Sequence, residues 1–176
     1  MRTLAAGLTT LTLLAVVPSL ARAQANPVEL GIDAALAVSL DDPRVTIIGI
    51  PLQQFRVGFF TSPILSFEPT LSVNYIDVEG VGDLSTLSLG LGVLVHLSPD
   101  RTRTRAYVRP FAGFARISAD GESETDANMG FGVGLKTPFA NQRLATRLEA
   151  FLNHVFAEPD GVTSLGVSFG LSFFTR

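Results

Sequence analysis

The strongest constraint in this chain is the strict period of two in residues 164–174, S-L-G-V-S-F-G-L-S-F-F. Leu165, Val167, Phe169, Leu171 and Phe173 fall on one face, and Ser164, Gly166, Ser168, Gly170 and Ser172 on the other. Side chains alternate across a β-strand, so this pattern gives a strand with one apolar, aromatic-rich face and one face of small polar groups. A helix would scatter the same residues around its axis.

Seven earlier segments repeat the alternation. Val28, Leu30, Ile32, Leu36 and Val38 oppose Glu29, Gly31, Asp33 and Ser39. The second segment, residues 45–60, is irregular where Ile47 and Ile48 are adjacent and Pro51 lacks a donor, then recovers with Phe55, Val57 and Phe59 opposite Arg56 and Gly58. The third sets Leu65, Phe67, Leu71 and Val73 against Ser66, Glu68, Thr70 and Ser72, and the fourth Leu87, Leu89, Leu91, Val93 and Val95 against Ser88, Gly90, Gly92, Leu94 and His96. In the fifth, Val108, Pro110, Ala112 and Phe114 oppose Tyr107, Arg109, Phe111 and Gly113, with aromatics on both faces. The sixth sets Met129, Phe131, Val133 and Leu135 against Gly130, Gly132, Gly134 and Lys136, and the seventh Leu144, Leu148 and Leu152 against Arg147, Glu149 and Asn153. Pro51, Pro69 and Pro110 are expected to mark bulges. The polar run 118–128, S-A-D-G-E-S-E-T-D-A-N, is expected to be an exposed loop.

These apolar faces need a partner, and the composition suggests which. The chain is 47% hydrophobic and 16% charged, against roughly 25% charged in soluble domains. Beyond the N-terminus no apolar run approaches the roughly 20 residues of a spanning helix. Strands facing lipid reconcile the two. Eight antiparallel strands, long enough for the roughly 9–11 residues a tilted strand needs to cross, predict an all-β, eight-stranded, up-and-down transmembrane barrel. The rival is a soluble lipocalin-like barrel, which would turn the same apolar faces inward around a ligand.

With lipid outside, the polar faces place Glu29, Asp33, Glu68 and Glu149 in the lumen with Arg56, Arg109, Lys136 and Arg147. An eight-stranded barrel has a lumen its side chains can fill, so four carboxylates and four cations are expected to pair rather than line a pore. The connections also sort by charge. Odd-numbered ones carry Asp41, Asp42, the 77–83 loop, the 118–128 run and residues 158–161, all acidic apart from Arg44, whereas even-numbered ones carry Arg101, Arg103, Arg105 and Arg143.

The N-terminus reads as an export signal. Arg2 precedes an apolar stretch over residues 4–17, then Pro18 and Ala21-Arg22-Ala23, a small-x-small cleavage pattern. Residues 1–23 are therefore expected to be a signal peptide and residues 24–176 the barrel domain. A net charge of −3 argues against nucleic acid. The absence of cysteine excludes disulfides and thiolate chemistry.

With signal, eight alternating segments and a terminal strand in place, the chain resembles the small outer-membrane β-barrel proteins of Gram-negative bacteria, OmpA-like and OmpX-like. Gly166, Phe169, Leu171 and Phe173 are similar to the closing-strand signal read by the barrel-assembly machinery, although such chains usually end on an aromatic residue and this one continues with Thr175-Arg176. The resemblance implies an outer-membrane location, outer-membrane lipid and the assembly machinery as partners, and a structural or surface-interaction role. The alternative within the family is a lipid-modifying enzyme.

Candidate chemistry is sparse. His154 occupies a position where a lipid-modifying barrel would carry a catalytic histidine, but no serine follows it in its strand. Glu68 and Glu149 could form an acid–base pair, yet their arginine neighbours favour structural pairing. The acidic 118–128 run lacks the spacing of a calcium loop, and Gly130, Gly132 and Gly134 lie inside a strand, not a phosphate loop. Two histidines and no cysteine make a transition-metal site improbable. Catalytic, metal and cofactor sites are all expected to be absent. The cleavage pattern predicts an exported chain beginning at Gln24, checked by intact mass or N-terminal sequencing of protein recovered from membranes.

Overall fold

The computed structural model describes residues 27–41, 46–78, 82–119, 122–139, 143–157 and 161–175, with side chains omitted at 46–53, 74–78, 82–84, 119 and 122. The expected signal peptide and parts of the odd-numbered connections lie outside the described residues. Eight strands run in chain order: β1 Val28–Ser39, β2 Thr46–Phe60, β3 Leu65–Val78, β4 Gly82–His96, β5 Arg105–Ala119, β6 Glu122–Pro138, β7 Leu144–Val155 and β8 Val162–Phe174. Each pairs antiparallel with its neighbours and β8 pairs with β1, closing the barrel.

The alternation resolves in favour of lipid outside. Leu89 is 58% exposed, Phe169 56% and Phe114 63%, while Glu29, Arg56, Glu68, Lys136, Arg147 and Glu149 are buried. A soluble barrel would reverse this, so the lipocalin-like reading is excluded by the burial pattern. The parity of β5 is also settled: Tyr107 and Arg109 are buried and face inward, and Pro110, Ala112 and Phe114 are exposed.

Following paired residues from Gly31 through Arg56, Thr70, Gly90, Gly113, Asn128 and Val155 leads to Val162, two residues past the Ser164 that pairs with Ser39. The walk therefore rejoins β1 about ten residues beyond its start, the stagger that accompanies tilted strands in a closed barrel. The seam runs unbroken from Glu29 against Phe174 to Ser39 against Ser164. Thr175, one of the two residues past the usual aromatic end, completes it. Its N–H donates to the Val28 carbonyl at 2.9 Å, and its hydroxyl accepts from the Val28 N–H at 2.9 Å.

Three expectations need correction. The 118–128 run is not simply a loop, because β5 and β6 stay paired through Ser118 against Ser123 and Ala119 against Glu122. Backbone pairing extends the hairpin where both faces meet water, and there the hydrophobic alternation has no reason to continue. Likewise Asp77 pairs with Asp83 inside the expected 77–83 loop. Pro69 and Pro110 do not shift the register. The β2–β3 ladder omits the partners opposite Val57 and Gly58, near Pro69, and the β4–β5 ladder those of Val93 and Leu94, near Pro110, but the same registers resume on either side. The shift lies between β1 and β2, where Asp33 pairs with Gln54 and Ala35 with Gly49, so the bulged stretch contains Pro51.

Leu89 sits at the middle of β4 on the exposed face. Leu89→Arg is expected to cost about 2–4 kcal/mol in urea unfolding of the protein in phospholipid vesicles.

Candidate functional site

The inward faces meet in a charged cluster in the half of the barrel nearest the chain termini. Glu29 projects from β1 one position from its start, opposite Gly58 of β2. Arg56 of β2 lies opposite Gly31, and a Cβ on Gly31 would run into the guanidinium. Across β5–β6 and β6–β7, Gly134 faces both Tyr107 and Glu149, and a Cβ there would collide with the tyrosine hydroxyl. Inward glycines thus leave room for long polar side chains from adjacent strands to lie across the lumen, which explains the glycine-rich polar faces.

Arg56 is the hub. Its Nε donates to Asp33 Oδ2 at 2.7 Å, one terminal nitrogen donates to Glu29 and, at 3.3 Å, to Glu68, and the other donates to the Ser172 hydroxyl at 2.8 Å. Lys136 Nζ donates to both oxygens of Glu29, at 2.8 and 2.7 Å. Arg147 bridges two acids, reaching Glu68 Oε1 at 2.7 Å and Glu149 Oε2 at 2.5 Å, while its Nε donates to the Tyr107 hydroxyl at 2.7 Å. Arg109 grips Glu149 with Nε at 3.0 and 3.1 Å and with a terminal nitrogen. Tyr107 in turn donates to Glu149 Oε2 at 2.7 Å.

All eight charged residues singled out from the sequence therefore lie in one connected set. Sequence reasoning missed Tyr107 and Ser172 as members of it. Their parity carried the signal, since both lie on the polar face of their strands, but a lone hydroxyl does not announce a partner. Taking charges out of water costs several kcal/mol per ion. Matched opposite charges, with more than one partner for Glu29, Arg56, Glu68, Arg147 and Glu149, offset that cost. Glu68 and Glu149 do not form an acid–base pair, because Arg147 lies between them as a shared donor.

Towards the termini the cluster gives way to Phe60, Leu94, His96 and Tyr107, all buried. His96 stacks on Phe60 at 5.7 Å and meets Tyr107 edge-on at 5.9 Å. Charged cluster and ring layer together seal this half of the lumen. In the other half, a cavity of about 280 Å³ is bounded by Asp33 and Arg109 below and by Gln54, Thr70, Phe111, Asn128, Phe151 and Asn153 around it. Asp126, expected in a loop, is buried near the far end of the barrel. Among the described residues, no group of three His, Asp or Glu side chains is placed to hold a metal.

His154 lies outside the lumen wall, by alternation with Asn153, and its Nδ1 is 3.0 Å from the Thr163 hydroxyl of β8. The hydroxyl absent from its own strand thus comes from the neighbouring one. Asp41 does not complete a relay, since its carboxylate accepts the Thr163 N–H at 2.5 Å, and the Nε2 side of the imidazole packs against Gly161. Of the closing-strand residues, Phe169 and Phe173 are exposed, Leu171 is half-buried, and Gly166 lies under the Phe151 ring.

A closed eight-stranded barrel with an apolar exterior and a plugged, charge-balanced lumen is a membrane-spanning barrel. Solved structures place it more closely. It is similar to Neisserial surface protein A, at 14% identity over 83% of this chain and 96% of that one, with a TM-score of 0.65. It is also similar to Ail, the attachment invasion locus protein of Yersinia pestis, at 14% identity over 85% and 99% of the two chains, with a TM-score of 0.52. A third is the outer membrane protein OprG from Pseudomonas aeruginosa, at 9% identity over 86% and 96%, with a TM-score of 0.54. No protein-family model and no curated protein sequence matches the chain. The chain has the fold of the small eight-stranded outer-membrane barrels.

Removing one bridge from the cluster leaves buried charge uncompensated. Arg147→Met is expected to destabilise the barrel by about 3–5 kcal/mol in vesicle unfolding experiments, because Glu68 and Glu149 each lose a partner.

Proposed function

We propose that the protein is an outer-membrane barrel, exported through cleavage of residues 1–23, that serves as a sealed structural and surface-interaction element rather than as a channel or enzyme. The observation that carries this reading is the plugged lumen. Arg56, Arg147 and Lys136 span the interior among buried acids, so no continuous aqueous path is left for a solute.

In this reading the odd-numbered connections face outward, and the paired extension of β5 and β6 holds an acidic surface away from the membrane. Glu124 is exposed there, and Arg116 donates to Ser123 at 2.9 Å across the hairpin. Two of the similar structures are, by name, a surface protein and an attachment protein, which supports a contact role for that face. Gly166, Phe169, Leu171 and Phe173 would be read by the barrel-assembly machinery during insertion, and outer-membrane lipid would cover the apolar belt.

The enzymatic alternative rests on His154 and Thr163. A hydroxyl activated by imidazole needs a group to orient the ring, and among the described residues no carboxylate bonds to His154. His154→Ala is therefore expected to leave the lipid profile of the host envelope the same as wild type; a lipid species present only with the wild-type chain would establish the enzyme. For the main reading, the protein should fractionate with outer membranes, shift its gel mobility on heating, and give background rates in liposome-swelling assays. Recovery as a soluble periplasmic protein, or solute flux through the wild-type barrel, would overturn it.

A further inference from the structure

The cluster balances its own charge, four carboxylates against four cations, but a second set of cations at the mouth nearest the termini has no carboxylate within 4.0 Å among the described residues. Arg105, the first residue of β5, is only 4% exposed. Among the described residues its guanidinium makes one hydrogen bond, from a terminal nitrogen to the Pro63 carbonyl at 3.3 Å, and its guanidinium carbon lies 5.5 Å from the Phe60 ring centroid. Arg101, half-buried in the β4–β5 connection, lies over the same ring at 4.2 Å. Neither has a carboxylate within 4.0 Å among the described residues, whereas their neighbour Arg103 is exposed and pairs with Asp100 at 3.6 Å. His96, stacked on that ring and 2% exposed, has both ring nitrogens without a hydrogen-bond partner.

A buried guanidinium held by one long hydrogen bond and an aromatic ring is poorly compensated for its lost hydration. Two guanidinium groups anchored on one ring, with no carboxylate within 4.0 Å among the described residues, suit a doubly charged tetrahedral oxyanion. Arginine's planar fork binds phosphate oxygens in pairs, and a phosphate monoester carries about two negative charges near neutral pH. We propose that the mouth formed by Arg101, Arg105 and Phe60 is a phosphate-binding site. Its occupant enters along the barrel axis from the side of the termini and neutralises the two arginines above the sealed cluster. The phosphate is either free, as inorganic phosphate or a soluble monoester, or the monoester headgroup of a lipid.

The test uses the whole mature barrel, refolded in zwitterionic detergent. In one arm inorganic phosphate is titrated against chloride at equal ionic strength while the unfolding temperature is read. In the other, phosphatidic acid retention is read by native mass spectrometry against phosphatidylcholine. Wild type should show a saturable rise in Tm with phosphate, as expected for a ligand of the folded state, or selective retention of phosphatidic acid. Arg101→Gln and Arg105→Gln should each weaken the response at least tenfold, and Arg103→Gln should leave it unchanged. Arg101 lies in a connection, so its variant keeps the test valid if Arg105→Gln fails to fold. A response to inorganic phosphate identifies a free anion as the occupant, and a response to phosphatidic acid alone identifies a headgroup. No response in either arm, or an equal loss in Arg103→Gln, would overturn the proposal.

Discussion

A sheet edge cannot remain open in hydrocarbon, because lipid offers no partner to an unpaired N–H or carbonyl group. Everything else in this structure depends on the last strand meeting the first. β8 pairs with β1 along its length, and Thr175 satisfies both backbone groups of Val28 where the seam ends. Closure fixes the stagger of the strands, and the stagger decides which inward side chains share a level of the lumen.

The lumen then imposes a second constraint. A barrel of eight strands is too narrow to be a wide channel, so its polar face must be filled by side chains that satisfy one another. The solution here alternates large and small. Arginine, glutamate and tyrosine reach across, and glycine on the adjacent strand yields the space. Charge is balanced within the set, and Glu29, Arg56, Glu68, Arg147 and Glu149 each have more than one partner. The same logic makes the terminal mouth conspicuous, since Arg101 and Arg105 lie outside that balance and share one aromatic ring.

Much of this was legible in the sequence because a period of two is a local property. Alternation grouped Glu29, Asp33, Arg56, Glu68, Arg109, Lys136, Arg147 and Glu149 on the polar faces, which the closed barrel turns inward. It failed where its physical cause fails. Beyond the membrane both faces of the β5–β6 hairpin meet water, so residues 118–128 looked like a loop although backbone hydrogen bonds continue through them. Pro69 and Pro110 were expected to force bulges, but a proline can cost ladder pairs without shifting the register, and only the stretch containing Pro51 moves it.

The sequence by itself determined the all-β class and which residues of a strand share a face, because lipid and lumen select opposite members of each alternating pair; the burial pattern of the closed barrel decided which face is inward. Only the tertiary structure decided who meets whom. Arg147 between Glu68 and Glu149, Ser172 beside Glu29 and Arg56, and Thr163 against His154 are neighbours through register and closure, which are set by the whole ring of strands and not by any one of them.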